Sequence, residues 1–174
     1  MQLDAREHFK EIVNPAIADY EQAEAELTGA VQTEDDGLTQ AARFKALRLG
    51  GAAVIFLHHF ADIVAKRPPP GLPDFEGQVS RVRKLLQANG ANDIMLLGDA
   101  ADALKHAILT QRLPREVEEA GQVVAVGRSY GTERYGEGKF GGVDQVWLLA
   151  RSGGRPLTLV LREVSSVWEM LLFS

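Results

Sequence analysis

The chain is expected to fold as one α+β domain over residues 1–174, with a four-helix core over 1–112 and, over 121–174, a three-stranded antiparallel β-sheet closed by a short C-terminal helix. Three observations predict this. Apolar residues recur at three- and four-residue steps through the first two thirds of the chain, the signature of amphipathic helices. Beyond Gly121 the period changes to two or to continuous apolar runs punctuated by glycine, which is strand grammar. The composition, 45% hydrophobic and 25% charged, is that of a globular protein, and a chain of this length buries about 70% of its unfolded surface without staples.

The first helix is expected over residues 4–31, on Phe9, Ile12, Val13, Ile17, Tyr20 and Leu27, with Asp19, Glu21, Glu24 and Glu26 on a solvated face. Pro15 interrupts it. Proline removes an intrahelical hydrogen bond and crowds the preceding turn, so the sequence calls for a kink or for a helix capped by Asn14 with Pro15 at its first position. A second helix is expected over residues 38–66, apolar nearly all round and therefore the centre of the bundle, with Phe56, Phe60 and Ile63 nearly inaccessible. Each glycine of Gly50-Gly51 costs such a helix about 1 kcal/mol relative to alanine, and close approach of a neighbour is the usual compensation. Pro68-Pro69-Pro70-Gly71 ends it.

Asp74 can cap a third helix to about residue 88, burying Phe75, Val79, Val82, Leu85 and Leu86 and leaving Arg81, Arg83 and Lys84 in solvent. Asn92 caps a fourth over residues 93–111, before Pro114. Strands follow at 122–128, 143–151 and 157–164, the last two joined by a turn at Ser152-Gly153-Gly154. Ser166 and Glu169 have capping-box spacing ahead of Met170-Leu171-Leu172-Phe173, the terminal helix, with Trp168 inward.

Several functions are excluded or disfavoured. The absence of cysteine removes disulfides, thiolate metal sites and cysteine nucleophiles together. A net charge of −5 disfavours broad attachment to nucleic acid. The N-terminus is charged at once and lacks the apolar stretch of a secretory signal. The most apolar run, residues 49–57, is shorter than the ~20 residues of a membrane span. The expected location is therefore cytoplasmic, without a membrane, and no cofactor is called for.

The candidate sites are few. Asp99, Asp102 and His106 fall within about 60° on one face of the fourth helix, placing two carboxylates and an imidazole together. His58, His59 and Asp62 on the second helix are spaced so that either imidazole can meet the carboxylate. If the two helices converge, His59, Asp62, Asp102 and His106 are candidate catalytic residues and His58, His59, Asp99 and His106 candidate metal ligands. If they do not, the same residues are a satisfied histidine and the wet side of an amphipathic helix. Gly136-Glu137-Gly138-Lys139-Phe140-Gly141-Gly142-Val143 matches G-x-G-x-x-G-x-V, but the other kinase segments are missing and a strand follows where a dinucleotide site needs a helix. Tyr130, Arg134, Tyr135, Lys139 and Phe140 make that loop aromatic and basic, a mixture suited to gripping a partner.

The segment Asp99-Ala100-Ala101-Asp102-Ala103-Leu104-Lys105-His106 resembles a D-x-x-D-x-x-K-H helix of small uncharacterised bacterial proteins, some from mobile elements, a group that brings no established activity. The helical portion is similar to HEPN-type bundles, whose ribonuclease members carry an R-x(4–6)-H motif; no arginine here precedes a histidine at that spacing. The function expected is a non-catalytic binding or regulatory protein, with a protein partner or small ligand, and self-association is left open. The alternative is a metal-assisted hydrolase or nuclease using the His/Asp groups.

Overall fold

A computed structural model of the chain describes residues 3–106, 115–126 and 144–174. The chain enters its first helix through a capping box: Asp4 Oδ1 accepts from the Glu7 amide at 2.8 Å, and Glu7 Oε2 from the Asp4 amide at 3.1 Å. Helix α1 (Ala5–His8) passes through a π-helical stretch (Phe9–Val13) into α2 (Asn14–Gln32). Pro15 therefore neither breaks the helix nor follows an Asn14 cap. Asn14, itself helical, donates to Phe9 O, one residue beyond α-helical reach, and this widened turn lies where the proline ring would crowd an ordinary one.

After Asp35 caps Leu38 at 2.9 Å, helix α3 (Asp36–Lys66) folds back along α2 and is also touched by helices α4 (Val79–Ala88), α5 (Ile94–His106) and α6 (Leu157–Phe173). By length and composition it is the one described helix that could cross a bilayer, yet here it is the bundle's shared wall. Its inward stripe is Ala46, Ala53, Leu57, Phe60 and Val64. Phe56, expected inside, is 42% exposed, because it stands on the shoulder of that stripe, and Leu38 and Phe44 are open too. Ile63 is half-buried. The glycine pair behaves as close packing requires at Gly50 alone: a Cβ there would meet Leu157 Cδ2 at 2.8 Å and the Tyr20 ring at 3.2 Å, whereas at Gly51 the nearest atom is Leu104 Cδ1 at 3.7 Å.

The third helix starts later than an Asp74 cap implies. Asp74 Oδ1 instead accepts from the Glu76 amide at 2.8 Å, and Glu76 (φ 54°) and Gly77 (φ 71°) are both left-handed, so α4 begins only at Val79. Phe75 is buried all the same. Asn92 donates to Gly90 O at 3.1 Å rather than capping α5. The expected continuation of that helix beyond His106 lies outside the described residues.

Strands β1 (Val123–Val126), β2 (Gln145–Ala150) and β3 (Gly153–Pro156) form an antiparallel sheet in that order, with Val124 opposite Trp147 and Leu148 opposite Arg155. The fold class is thus α+β as expected, but the third strand is four residues long and precedes the segment assigned to it. Residues 157–164 open α6, a helix of 17 residues. Leu157, Val160, Leu161, Val164, Trp168 and Leu172 are its buried stripe, which recurs at three- and four-residue steps. The turn is at Arg151-Ser152, with Gly153 and Gly154 already in β3, and Ser166 lies mid-helix with its Oγ donating to Glu163 O at 2.9 Å. Trp168 is inward as expected, edge-on to Phe60 at 4.8 Å, and Phe60 in turn meets Phe9 at 5.1 Å.

One acid of the expected solvated face is inside. Glu24, 4% exposed, accepts at Oε1 from Tyr20 OH (2.7 Å) and the Val146 amide (3.1 Å), and at Oε2 from Thr158 Oγ1 (2.7 Å). Burial and the adjacent Glu24 charge push the Tyr20 phenol far upward, so it remains a donor.

Two comparisons test this packing. Phe60→Ala should cost about 3–5 kcal/mol in urea denaturation and Phe56→Ala under about 1 kcal/mol. Gly51→Ala should raise stability by up to about 1 kcal/mol through helix propensity, whereas Gly50→Ala should lose about 1–3 kcal/mol through overpacking; equal effects would contradict the close approach at Gly50.

Candidate functional site

His58 projects from α3 into the angle between α4 and α5. It is 5% exposed, and Gly98 of α5 makes room for it: a Cβ there would lie 3.3 Å from the imidazole Cε1. Its Nε2 stands 3.3 Å from Arg83 Nη2. A guanidinium only donates, so Nε2 is the acceptor and the proton sits on Nδ1, which is buried with no hydrogen-bond partner among the described residues. Burial first, then the charge of Arg83 and the neighbouring His59, lower its pKa to about 4, against a smaller opposing pull from Asp102. This imidazole is neutral at pH 7. Arg83, expected in solvent, is thus turned inward, while Arg81 pairs with Glu76 at 3.3 Å and Lys84 is exposed.

The remaining candidates separate into pairs. His59 Nδ1 lies 2.7 Å from Asp62 Oδ2, with both side chains about two-fifths exposed. On α5, Asp102 accepts from Arg115 Nη1 at 2.8 Å; Asp99 lies 3.5 Å from the same nitrogen and accepts from the Glu116 amide at 2.9 Å. Burial pushes both carboxyls upward. At Asp102 the Arg115 hydrogen bond and charge outweigh it and leave the pKa lowered; at Asp99 burial prevails over the Glu116 amide and the more distant arginine, and the pKa is raised. His106 is exposed at the end of α5. Among the described residues no three His, Cys, Asp or Glu side chains stand where one metal ion could reach them, so His58, His59, Asp99 and His106 do not form such a set there. The candidate catalytic residues likewise separate: His59 and Asp62 pair on α3, Asp102 is held by Arg115 and His106 is exposed at the end of α5. The proposed binding residues Tyr130, Arg134, Tyr135, Lys139 and Phe140 lie outside the described residues.

An open site lies elsewhere. A cleft of about 780 Å³ runs between the start of the chain and the C-terminal end of α3, lined by Leu3, Asp4, Ala5, Arg6, His8, Ile63, Lys66, Arg67 and the three prolines 68–70. Arg6 Nη2 donates to Pro70 O at 3.2 Å and its buried Nε has no partner among the described residues. His8 stacks on Phe60, ring centroids 6.0 Å apart and planes within 11°, and burial lowers its pKa. The signals for this cleft were a cation in the first turn and two more before a proline run. Nothing in the linear order indicates that the two segments meet.

Comparison of the chain with protein-family models, with curated proteins and with solved structures finds no match in any of the three.

The His58 geometry predicts a pH dependence. The unfolded chain takes up this proton near the ordinary value of 6.5 and the folded chain near 4, so the unfolded state binds more protons in between. The contribution is complete above the unfolded value and is lost as pH falls from 6.5 to 4, amounting to roughly 3 kcal/mol. In an NMR titration the His58 ring signals should stay constant down to about pH 5; a midpoint near 6.5 would show the ring to be solvated.

Proposed function

We propose that the chain is a cytoplasmic, non-catalytic binding or regulatory protein. The observation that supports it most directly is the pairing of its ionisable groups. A general base working near neutral pH needs a pKa close to 7 and access to the reacting proton, whereas His58 is buried and held neutral down to about 4. The carboxylates of Asp99 and Asp102 are committed to Arg115 and to a backbone amide. His59 and Asp62 satisfy each other at the surface. Such groups hold helices together, and a concave feature open to a ligand among the described residues is the cleft beside the proline run.

The competing reading, a metal-assisted hydrolase or nuclease, gives a direct test. With Mg²⁺, Mn²⁺ or Zn²⁺ added, the purified chain should cleave neither bis-p-nitrophenyl phosphate nor single-stranded RNA faster than a His59→Ala/Asp102→Asn double variant does. Metal-dependent turnover in the parent chain that disappears in the double variant would establish the enzyme and end the binding-protein reading.

A further inference from the structure

Several cationic side chains are neutralised within the fold: Arg43 holds Asp144, Lys45 holds Glu26, Arg151 holds Glu118 and Arg162 holds Glu21. The cleft beside the proline run gathers three that are not. Arg6, Lys66 and Arg67 all line it, and none of the three is ion-paired among the described residues. The one carboxylate in the lining, Asp4, is turned to the capping box and accepts from the Glu7 amide. In a chain of net charge −5, three cations against one carboxylate around a single concavity make a local inversion of sign.

Apart from His8, the rest of the lining is apolar: Leu3, Ala5, Ile63 and Pro68-Pro69-Pro70 form a wall that gives a ligand contact area. Arg6 is held in place by its bond to Pro70 O, which occupies one guanidinium N–H, and with Nε buried the remaining Nη hydrogens are left for an acceptor. A volume of about 780 Å³ falls in the range of small-molecule sites, which combine an apolar wall with a few convergent polar groups.

We propose that this cleft binds a small organic anion, a carboxylate or phosphate carried on an apolar body. The anionic group meets Arg6, Lys66 and Arg67, and the body lies against Ile63 and the prolines. The proposal rests on the reading of the chain as a binding protein and supplies its ligand class.

The test is a titration of the full chain, followed by backbone-amide NMR, with phenyl phosphate and with benzoate; inorganic phosphate supplies the charge alone and benzyl alcohol the ring alone. Saturable shifts should centre on Arg6, Ile63, Lys66 and Arg67 for at least one aromatic anion, with affinity about tenfold or more above either control. The preferred anion identifies the head group. Lys66 and Arg67 are exposed, so Lys66→Gln/Arg67→Gln should fold as the parent does and weaken binding at least about tenfold; Arg6→Gln should do the same. No saturable shift with either aromatic anion at about 10 mM, or equal affinity in the double variant, would overturn the proposal. Inorganic phosphate binding as tightly as phenyl phosphate would overturn the role of the apolar wall. Failure here without turnover in the metal assay removes the anion site only, whereas turnover that depends on His59 and Asp102 removes the binding-protein reading itself.

Discussion

The carboxylate of Glu24 is taken almost entirely out of water, and an ion in that position costs several kcal/mol unless donors surround it. Among the described residues its donors are Tyr20 one turn earlier on α2, the Val146 amide of β2 and the hydroxyl of Thr158 at the start of α6. Each bond fixes something different. The Val146 amide sets how far along α2 the strand lies. Thr158, two residues after the last residue of β3, fixes where the chain leaves the sheet and begins to coil. Tyr20 bonds the carboxylate and, through its ring, packs against Gly50, so the polar junction and the closest helix approach share one side chain. Removing the carboxylate would leave Tyr20, Thr158 and a buried amide in search of an acceptor, and that demand ties helices and sheet into one cooperative unit.

Around that junction the core is assembled on α3, and small residues decide its geometry. Ala46, Gly50, Ala53 and Ala61 let neighbouring elements come near its axis, while Leu57, Phe60 and Val64 fill the volume on the same side. Phe60 then gathers Phe9 from the π-helical stretch and Trp168 from α6 into one aromatic group. The widened turn before Pro15 thus does more than accommodate a proline. It lies in the stretch that directs Phe9 at Phe60, so the entry helix and the terminal helix close on the same ring.

Much of the fold was legible because it was written locally. The length of α3 follows from an apolar pattern ended by Pro68-Pro69-Pro70, and the strands β1 and β2 from short continuous apolar runs in the glycine-punctuated segment. The misreadings occurred where local signals were degenerate or outcompeted. Residues 157–164 hold a short apolar run, Leu159-Val160-Leu161, too brief for periodicity to separate strand from helix until the polar positions Glu163, Ser166 and Glu169 were set against Val160, Val164 and Trp168 on one wheel. Asp74 carried a cap signal, but two left-handed residues between it and Val79 allow no helix to start there. Phe56 was judged by its hydrophobicity, whereas its angular position relative to Leu57 and Phe60 decides its exposure. Glu24 looked like its acidic neighbours because its donors lie on α2, β2 and α6.

The same limit governs the polar cluster. Helix spacing correctly placed Asp99 and Asp102 side by side and brought His59 within reach of Asp62, since those relations are internal to one helix. It could not say that Arg115 would reach back to clamp the aspartates or that Arg83 would cross to His58. Those two arginines change the chemistry of the cluster. A carboxylate pair with free lone pairs invites a cation; the same pair holding a guanidinium has one already. An imidazole beside an unpaired guanidinium cannot take up a proton without placing two cations about 3.3 Å apart in a site closed to water, so it remains neutral and accepts. The helices meet through groups whose charges are settled within the protein, while at the proline cleft Arg6, Lys66 and Arg67 line one concavity with no ion pair among the described residues, so an anion entering it would meet cations not already engaged by a carboxylate.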